Sequence, residues 1–297
     1  MTLANKYRPT TFSDVVGQDV ICKILQKEID TNQYTHSILF TGGAGTGKTT
    51  CGKIFANLID GEVIFLDCAA HNGVTDIKEI INKARIRSLI HTYKVFLLDE
   101  CHSLSPNAWN SLLMTLEEDL PYSIFVFCTT DVQKIPNTIM SRVQRFNFVP
   151  IPDQVIRDRL KYVCEQENIE IDDNSLQYII KSAKGSLRQA LTNLDKCILY
   201  GLSENDVCKA LNIVSDDIMS ELYESFINHN KDTIIRLIED IYNNGYELHI
   251  FIRYFLDYCL KQDNIAIVDC LLTIIQDIKY DDTPKNLIIA RLLTWNT

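Results

Sequence analysis

Residues 42–49 read GGAGTGKT, the spacing G-x-x-x-x-G-K-[ST] in which a glycine-rich turn lets backbone N–H groups close around phosphate. Gly42, Gly43, Ala44, Gly45, Thr46 and Gly47 make the turn, and Thr50 completes the segment. Lys48 adds a point charge at the β and γ phosphates, and the Thr49 hydroxyl can ligate Mg²⁺. About fifty residues later KVFLLDECH runs an apolar stretch into Asp99 and Glu100. A carboxylate at a strand end can hold Mg²⁺ directly or through water, the role assigned to Asp99. The next carboxylate can polarise an attacking water, which makes Glu100 the candidate general base. His102 is either a supporting neighbour of these acids or a surface histidine. Farther on, MSRVQRF at 140–146 carries Arg142. Its guanidinium is a permanently charged planar fork suited to a transferring phosphoryl group, in its own chain or in another.

These groups need elements to position them, and the loop is flanked as it should be. SILFT reads as a strand before it and TTCGKIFANLI as a helix after it. Up to residue 150 helical patterns alternate with four short runs, HSILFTG, EVIFLDC, KVFLLDE and SIFVFCTT. The runs are apolar throughout, as expected of strands covered by helices on both faces, so the expected fold is an α/β parallel sheet. After Pro150 and Pro152 only helical periods occur, such as Ile234, Leu237, Ile238 and Ile241, then Leu248, Phe251, Ile252, Phe255 and Leu256. One boundary is expected at about 150. A second falls near YGLSEN, where Gly201 can end one helix and Ser203 can cap the next.

With 297 residues and 46% apolar side chains the chain can bury sizeable cores, enough for about two domains. No apolar run reaches the roughly 18 residues of a membrane span, because acids such as Asp269 interrupt it. MTLANKYRPTTF has no apolar core of a secretory signal, so a soluble, cytoplasmic chain with no membrane partner is expected. The ten cysteines include no C-x-x-C pair and read as core thiols rather than disulfides or metal ligands. The net charge of −10 speaks against a broadly basic nucleic-acid binder. That charge is uneven: residues 1–150 hold 14 basic and 15 acidic side chains, and 151–297 hold 15 and 24. The near-neutral first half leaves room for a local basic surface at Lys78, Lys83, Arg85 and Arg87, although a solvated helix face has the same composition.

Taken in order, GGAGTGKT, LLDECH, SRVQRF and KGSLRQAL make the chain resemble the AAA+ ATPases, and most closely the subunits of DNA clamp loaders. The opening KYRPTTFSDVVGQ is similar to the signature of the bacterial tau/gamma subunit and of the replication factor C small subunits, and TTDVQKIPNTIMSR is closer to the bacterial form. The likeness carried by these motifs spans about residues 5–200. It implies an AAA+ nucleotide-binding α/β domain at 1–150, a helical lid at 151–202 and an all-helical collar at 203–297 that holds subunits in a ring.

The same resemblance implies roles residue by residue. Tyr7, Arg8 and Pro9 with Val15 and Val16 would line the adenine pocket, Thr130 would sense the γ-phosphate, and Arg188 would be a second sensor on the lid. Arg142 would act in trans, in the ATP site of the adjacent subunit. Val143 stands where the family's motif has cysteine. The implied cofactors are ATP and Mg²⁺. Zinc is not expected, because ANLIDGEVIFLDC runs straight into the second strand where the bacterial relatives insert a four-cysteine module. The implied partners are a sliding clamp, other loader subunits in a homo- or hetero-oligomeric ring, expected as a pentamer, and primer-template DNA. DNA would be met near residues 72–75 and by Arg85 or Arg87. The compact layout, without the tau form's long C-terminal extension, suggests a phage or archaeal style. The expected setting is the cytoplasm of a bacterial or phage-infected cell. The rival expectations are an AAA+ branch-migration motor or initiator, and a non-hydrolysing scaffold subunit of such a ring.

Overall fold

The structure, a computed structural model, describes residues 1–262, 265–280 and 284–294. Residues 1–167 and 183–192 form one compact unit, and 168–182 with 193–297 form a second.

In the first unit the four apolar runs extend as β1 (Ser37–Thr41), β2 (Gly61–Asp67), β3 (Tyr93–Asp99) and β4 (Ser123–Thr129). A fifth strand, β5 (Gln144–Asn147), joins them, and all pair in parallel in the order β2-β3-β4-β1-β5. The helices wholly within this unit are α1 (Leu3–Lys6), α2 (Asp19–Asp30), α3 (Lys48–Leu58), α4 (Val74–Ala84), α5 (Pro106–Leu116), α6 (Asn137–Met140) and α7 (Asp153–Glu167). Strand alternation sends Ile38, Phe40, Val95, Leu97 and Val126 to one face, where Leu25 of α2 and Phe55 of α3 cover them. Leu39, Phe96, Leu98, Phe125 and Phe127 go to the other, under Ile77 of α4 and Trp109 and Leu112 of α5. Local chemistry sets the helix starts: Pro106 opens α5, whose Ser105 cap accepts from Ala108 N at 3.3 Å.

Two features differ from the sequence expectation. β5 was not among the four runs, because Phe146 is the single buried side chain in QRFN and an edge strand gives too thin an apolar signal. β2 was expected under cover on both faces; at the opposite edge it is half-buried instead, and Phe65 stands 48% exposed with the Lys53 ammonium 5.4 Å from its ring centre.

After Pro150 the described residues contain helices and no strand: following α7 come α8 (Asp173–Ala183), α9 (Leu187–Tyr200), α10 (Glu204–Leu211), α11 (Asp216–Ile227), α12 (Lys231–Asn243), α13 (Leu248–Leu260), α14 (Ile265–Asp277) and α15 (Pro284–Thr294). α9 ends at Tyr200 and Gly201 follows at φ +152°; the Ser203 hydroxyl then accepts from Asp206 N at 3.3 Å to start α10. The second unit has its own core, with Leu222, Phe226, Ile238, Ile252, Phe255, Leu271 and Ile288 buried together. The helical spacing selected Ile234, Ile238, Ile252 and Phe255 for this reason.

All ten cysteines are free, nine buried and Cys270 half-buried. Among the described residues no group of three or more His, Cys, Asp or Glu side chains is arranged to hold a metal ion, and no helix is long and apolar enough to cross a membrane.

Candidate nucleotide site

β1 stops at Thr41 and the chain turns through Gly42, Gly45 and Gly47 at φ +138°, +72° and +108°. Those angles suit glycine because a β-carbon crowds the left-handed region. Gly47 is also the N-cap of α3 and offers no side chain, so the first N–H groups of that helix keep no side-chain partner. The macrodipole adds partial positive charge at the same end.

Lys48 is buried, and its ammonium donates to the Gly42 and Gly43 carbonyls at 2.7 Å each. One of its three protons is left for a ligand. Burial pushes its pKa below the ordinary lysine value, and surrounding acidic groups, Glu100 and Asp99 among them, oppose that in part.

The strand ends bring the remaining groups together. Thr49 Oγ1 donates to Asp99 Oδ2 at 2.9 Å, a hydroxyl and carboxylate placed together as an octahedral Mg²⁺ would need them. Glu100 follows at φ +47°, left-handed for a residue with a β-carbon, and Thr130 Oγ1 donates to its Oε2 at 2.9 Å. Open helix N–H groups, a buried ammonium and a hydroxyl–carboxylate pair are the donor set a Mg²⁺–triphosphate requires, so the residues present fit ATP and Mg²⁺.

A cavity opens from this loop. Tyr7, Arg8, Pro9, Val15 and Val16 line it together with Ala44 to Thr50, Asp99, Glu100 and Arg188. Gly42, Gly43 and Thr130 are not among its lining residues; the first two accept from Lys48 and the third donates to Glu100, both of which line it. The sequence did not single out Ala4, Asn5, Ile151, Leu187 or Leu191, which also line it. The i, i+4 pair Leu187 and Leu191 beside Arg188 was the available signal. Arg8 Nε donates to Thr50 Oγ1 at 3.2 Å, joining the opening segment to the loop. The Tyr7 hydroxyl donates to Glu167, which pushes its pKa up to about 12.

The start of α9 meets the loop directly. A β-carbon on Gly45 would collide with Ser186 Oγ and lie 3.1 Å from Arg188 Cβ. Gly45→Ala is therefore expected to cost the folded loop roughly 1–2 kcal/mol and, by displacing it through the clash with Ser186, to weaken ATP binding about tenfold. Unchanged affinity by calorimetry would show that this approach is not needed for binding.

Arg142 does not line the cavity. Gln144 pairs with Ile38 and Asn147 with Thr41, so Arg142 precedes the start of β5 whereas the phosphate loop follows the end of β1. The strand length between them is roughly 15 Å at about 3.3 Å per residue. Its guanidinium binds Glu117 Oε1 through Nε at 2.8 Å and a terminal nitrogen at 2.5 Å, and its other terminal nitrogen donates to Thr138 O at 2.8 Å. The basic residues considered for DNA are also engaged: Arg85 pairs with Glu118 at 2.6 Å, and Arg87 lies 4.3 Å from the Tyr122 ring centre.

Comparison with known proteins places this geometry. Residues 63–152 match the family described as DNA polymerase III, delta subunit, and residues 155–203 match the ATPase lid domain of the DNA polymerase III clamp loader subunit. The chain is similar to DNA polymerase III subunit tau of Bacillus subtilis, 33% identical over 312 residues, covering 95% of this chain and 55% of that protein. The tau subunit of Escherichia coli is 31% identical over 272 residues, covering 82% and 42%. The chain thus spans about half the length of these relatives. In fold it resembles the Thermotoga maritima RuvB Holliday junction branch migration motor, with a TM-score of 0.59 over 74% of this chain and 79% of that one at 18% identity. At that identity the likeness speaks to the fold alone, an α/β AAA+ sheet domain followed by helices. With the clamp-loader lid matched at residues 155–203 and the tau subunits aligned along most of this chain, the chain resembles the AAA+ clamp-loader subunits of the tau/gamma type.

Proposed function

We propose that the chain is the ATPase subunit of a sliding-clamp loader. The observation that carries this reading is the division of the site: Lys48, Thr49, Asp99 and Glu100 converge on one cavity while Arg142 stands at the other end of the strands. Such a chain has the parts for binding and for activating water but holds Arg142 away from them, so an arginine finger would come from a neighbouring subunit. ATP and Mg²⁺ supply the phosphoryl group and its charge-neutralising metal. Lys48 holds phosphate, Thr49 and Asp99 hold the metal, and Glu100 takes the proton of the attacking water. Thr130 and Arg188 sense the phosphate, and Tyr7, Arg8, Pro9, Val15 and Val16 seat the base. The intact set of four argues against a scaffold subunit that does not hydrolyse. The ring, of about five subunits in the cytoplasm, uses ATP binding to hold a clamp open and hydrolysis on primed DNA to release it.

The test is the ATPase rate of the complete loader. It should rise sharply when clamp and primer-template are added together, and the DNA effect should weaken with salt because repeated phosphate contacts release counterions. The isolated chain, acidic overall, should show little of either response. Full hydrolysis by the isolated chain, stimulated more by a four-way junction than by primed DNA, would replace this reading with a branch-migration motor.

A further inference from the structure

Glu100 is held by a second side chain. His102 lies on the short turn that follows Glu100, with its side chain 19% exposed, and its Nδ1 is 3.3 Å from Glu100 Oε2 and 3.1 Å from Thr129 Oγ1. The proton on that nitrogen can be assigned. Thr129 Oγ1 spends its one proton on Asp131 O at 3.1 Å and accepts from Asp131 N at 3.0 Å, which leaves it only acceptor capacity toward the imidazole. Glu100 as a carboxylate is likewise an acceptor. Nδ1 therefore carries the hydrogen and shares it between the two oxygens.

We propose that His102 is a positioning residue for Glu100, an inference that rests on the reading of Glu100 as the base. Thr129 closes β4 with no exposure, so it fixes the imidazole from behind. The imidazole and Thr130 then place two donors on the same oxygen, Oε2. Oε1 is left to accept the proton of the attacking water. Glu100 sits at φ +47° between the end of β3 and the turn that carries His102, while Thr130 directly follows the end of β4. His102 thus transmits the position of the β4 end, and of the phosphate sensor Thr130 on it, to the base.

The test uses two polar replacements in the assembled loader with clamp and primed DNA. His102→Asn puts an amide nitrogen where Nδ1 was, and His102→Gln puts it where Nε2 was. His102→Asn should stay within about threefold of wild-type kcat. His102→Gln should lose roughly ten- to a hundredfold, part of the 10²–10⁴ that a positioned base contributes, with KM and ATP affinity unchanged. Added to Glu100→Gln, His102→Gln should cost nothing further, because a residue acting only through the base has nothing left to act on. Equal losses in the two histidine variants, a rise in KM, or an undiminished loss on the Glu100→Gln background would overturn the proposal. Normal turnover in Glu100→Gln alone would instead overturn the base assignment beneath it.

Discussion

Lys48→Ala should abolish tight ATP binding, whereas Glu100→Gln should bind ATP normally and stop turning it over. The two residues face the same cavity but act on different atoms. Lys48 is buried with two of its protons fixed on loop carbonyls. Alanine removes both the charge meant for phosphate and the bonds that shape the loop, so binding should fall by several kcal/mol. Glutamine at position 100 keeps the size of the side chain and an acceptor for Thr130, but cannot take a proton. Loss of about 10²–10⁴ in kcat with unchanged affinity is the corresponding expectation. Nucleotide titration followed by single-turnover hydrolysis separates the two. Equal loss of binding in both variants would remove Glu100 from the role of base.

Arg142→Ala should leave the isolated chain's ATP affinity nearly unchanged and lower turnover of the assembled ring by roughly 10³-fold or more, the scale of a lost arginine finger. The geometry behind this is the parallel register, which sets Arg142 and the phosphate loop at opposite ends of neighbouring strands. Mixing experiments give the sharper result. A ring containing both Arg142→Ala and Lys48→Ala chains has some interfaces where an intact site meets an intact arginine, and activity should return there. Absence of rescue at every mixing ratio would place Arg142 outside its neighbour's chemistry.

That the glycine-rich loop, Asp99 and Glu100 lie together was legible in the sequence because their placement depends on local spacing: the loop is contiguous, and a strand-end carboxylate follows its own strand. The parallel sheet was legible for a related reason, since two-sided burial makes β3 and β4 nearly continuous apolar runs. β5 was not, since a four-residue edge strand is specified by its pairing with β1 more than by its own side chains. The Glu100–His102–Thr129 arrangement was also hidden. It depends on β3 and β4 being neighbours, a fact of sheet order that a lone histidine in DECH cannot convey. The opening segment reached its cavity by resemblance alone; its physical anchors, Glu167 on α7 and Thr50 on α3, lie far from it in the chain.

In the ring proposed above, the pairing of Arg142 with Glu117 would bear on how quickly an interface becomes competent. Both side chains are partly exposed, so the pair itself contributes no more than about 1 kcal/mol and yields to a more highly charged partner. Its larger effect is on disorder. A free arginine on the surface samples many rotamers, and fixing it on arrival at a neighbour costs up to about 2 kcal/mol. Here Glu117, Thr138 O and Ser141 Oγ hold the fork along one direction before any neighbour is met. The entropy of that side chain is surrendered during folding, so docking in the proposed ring would have only to exchange its acceptors.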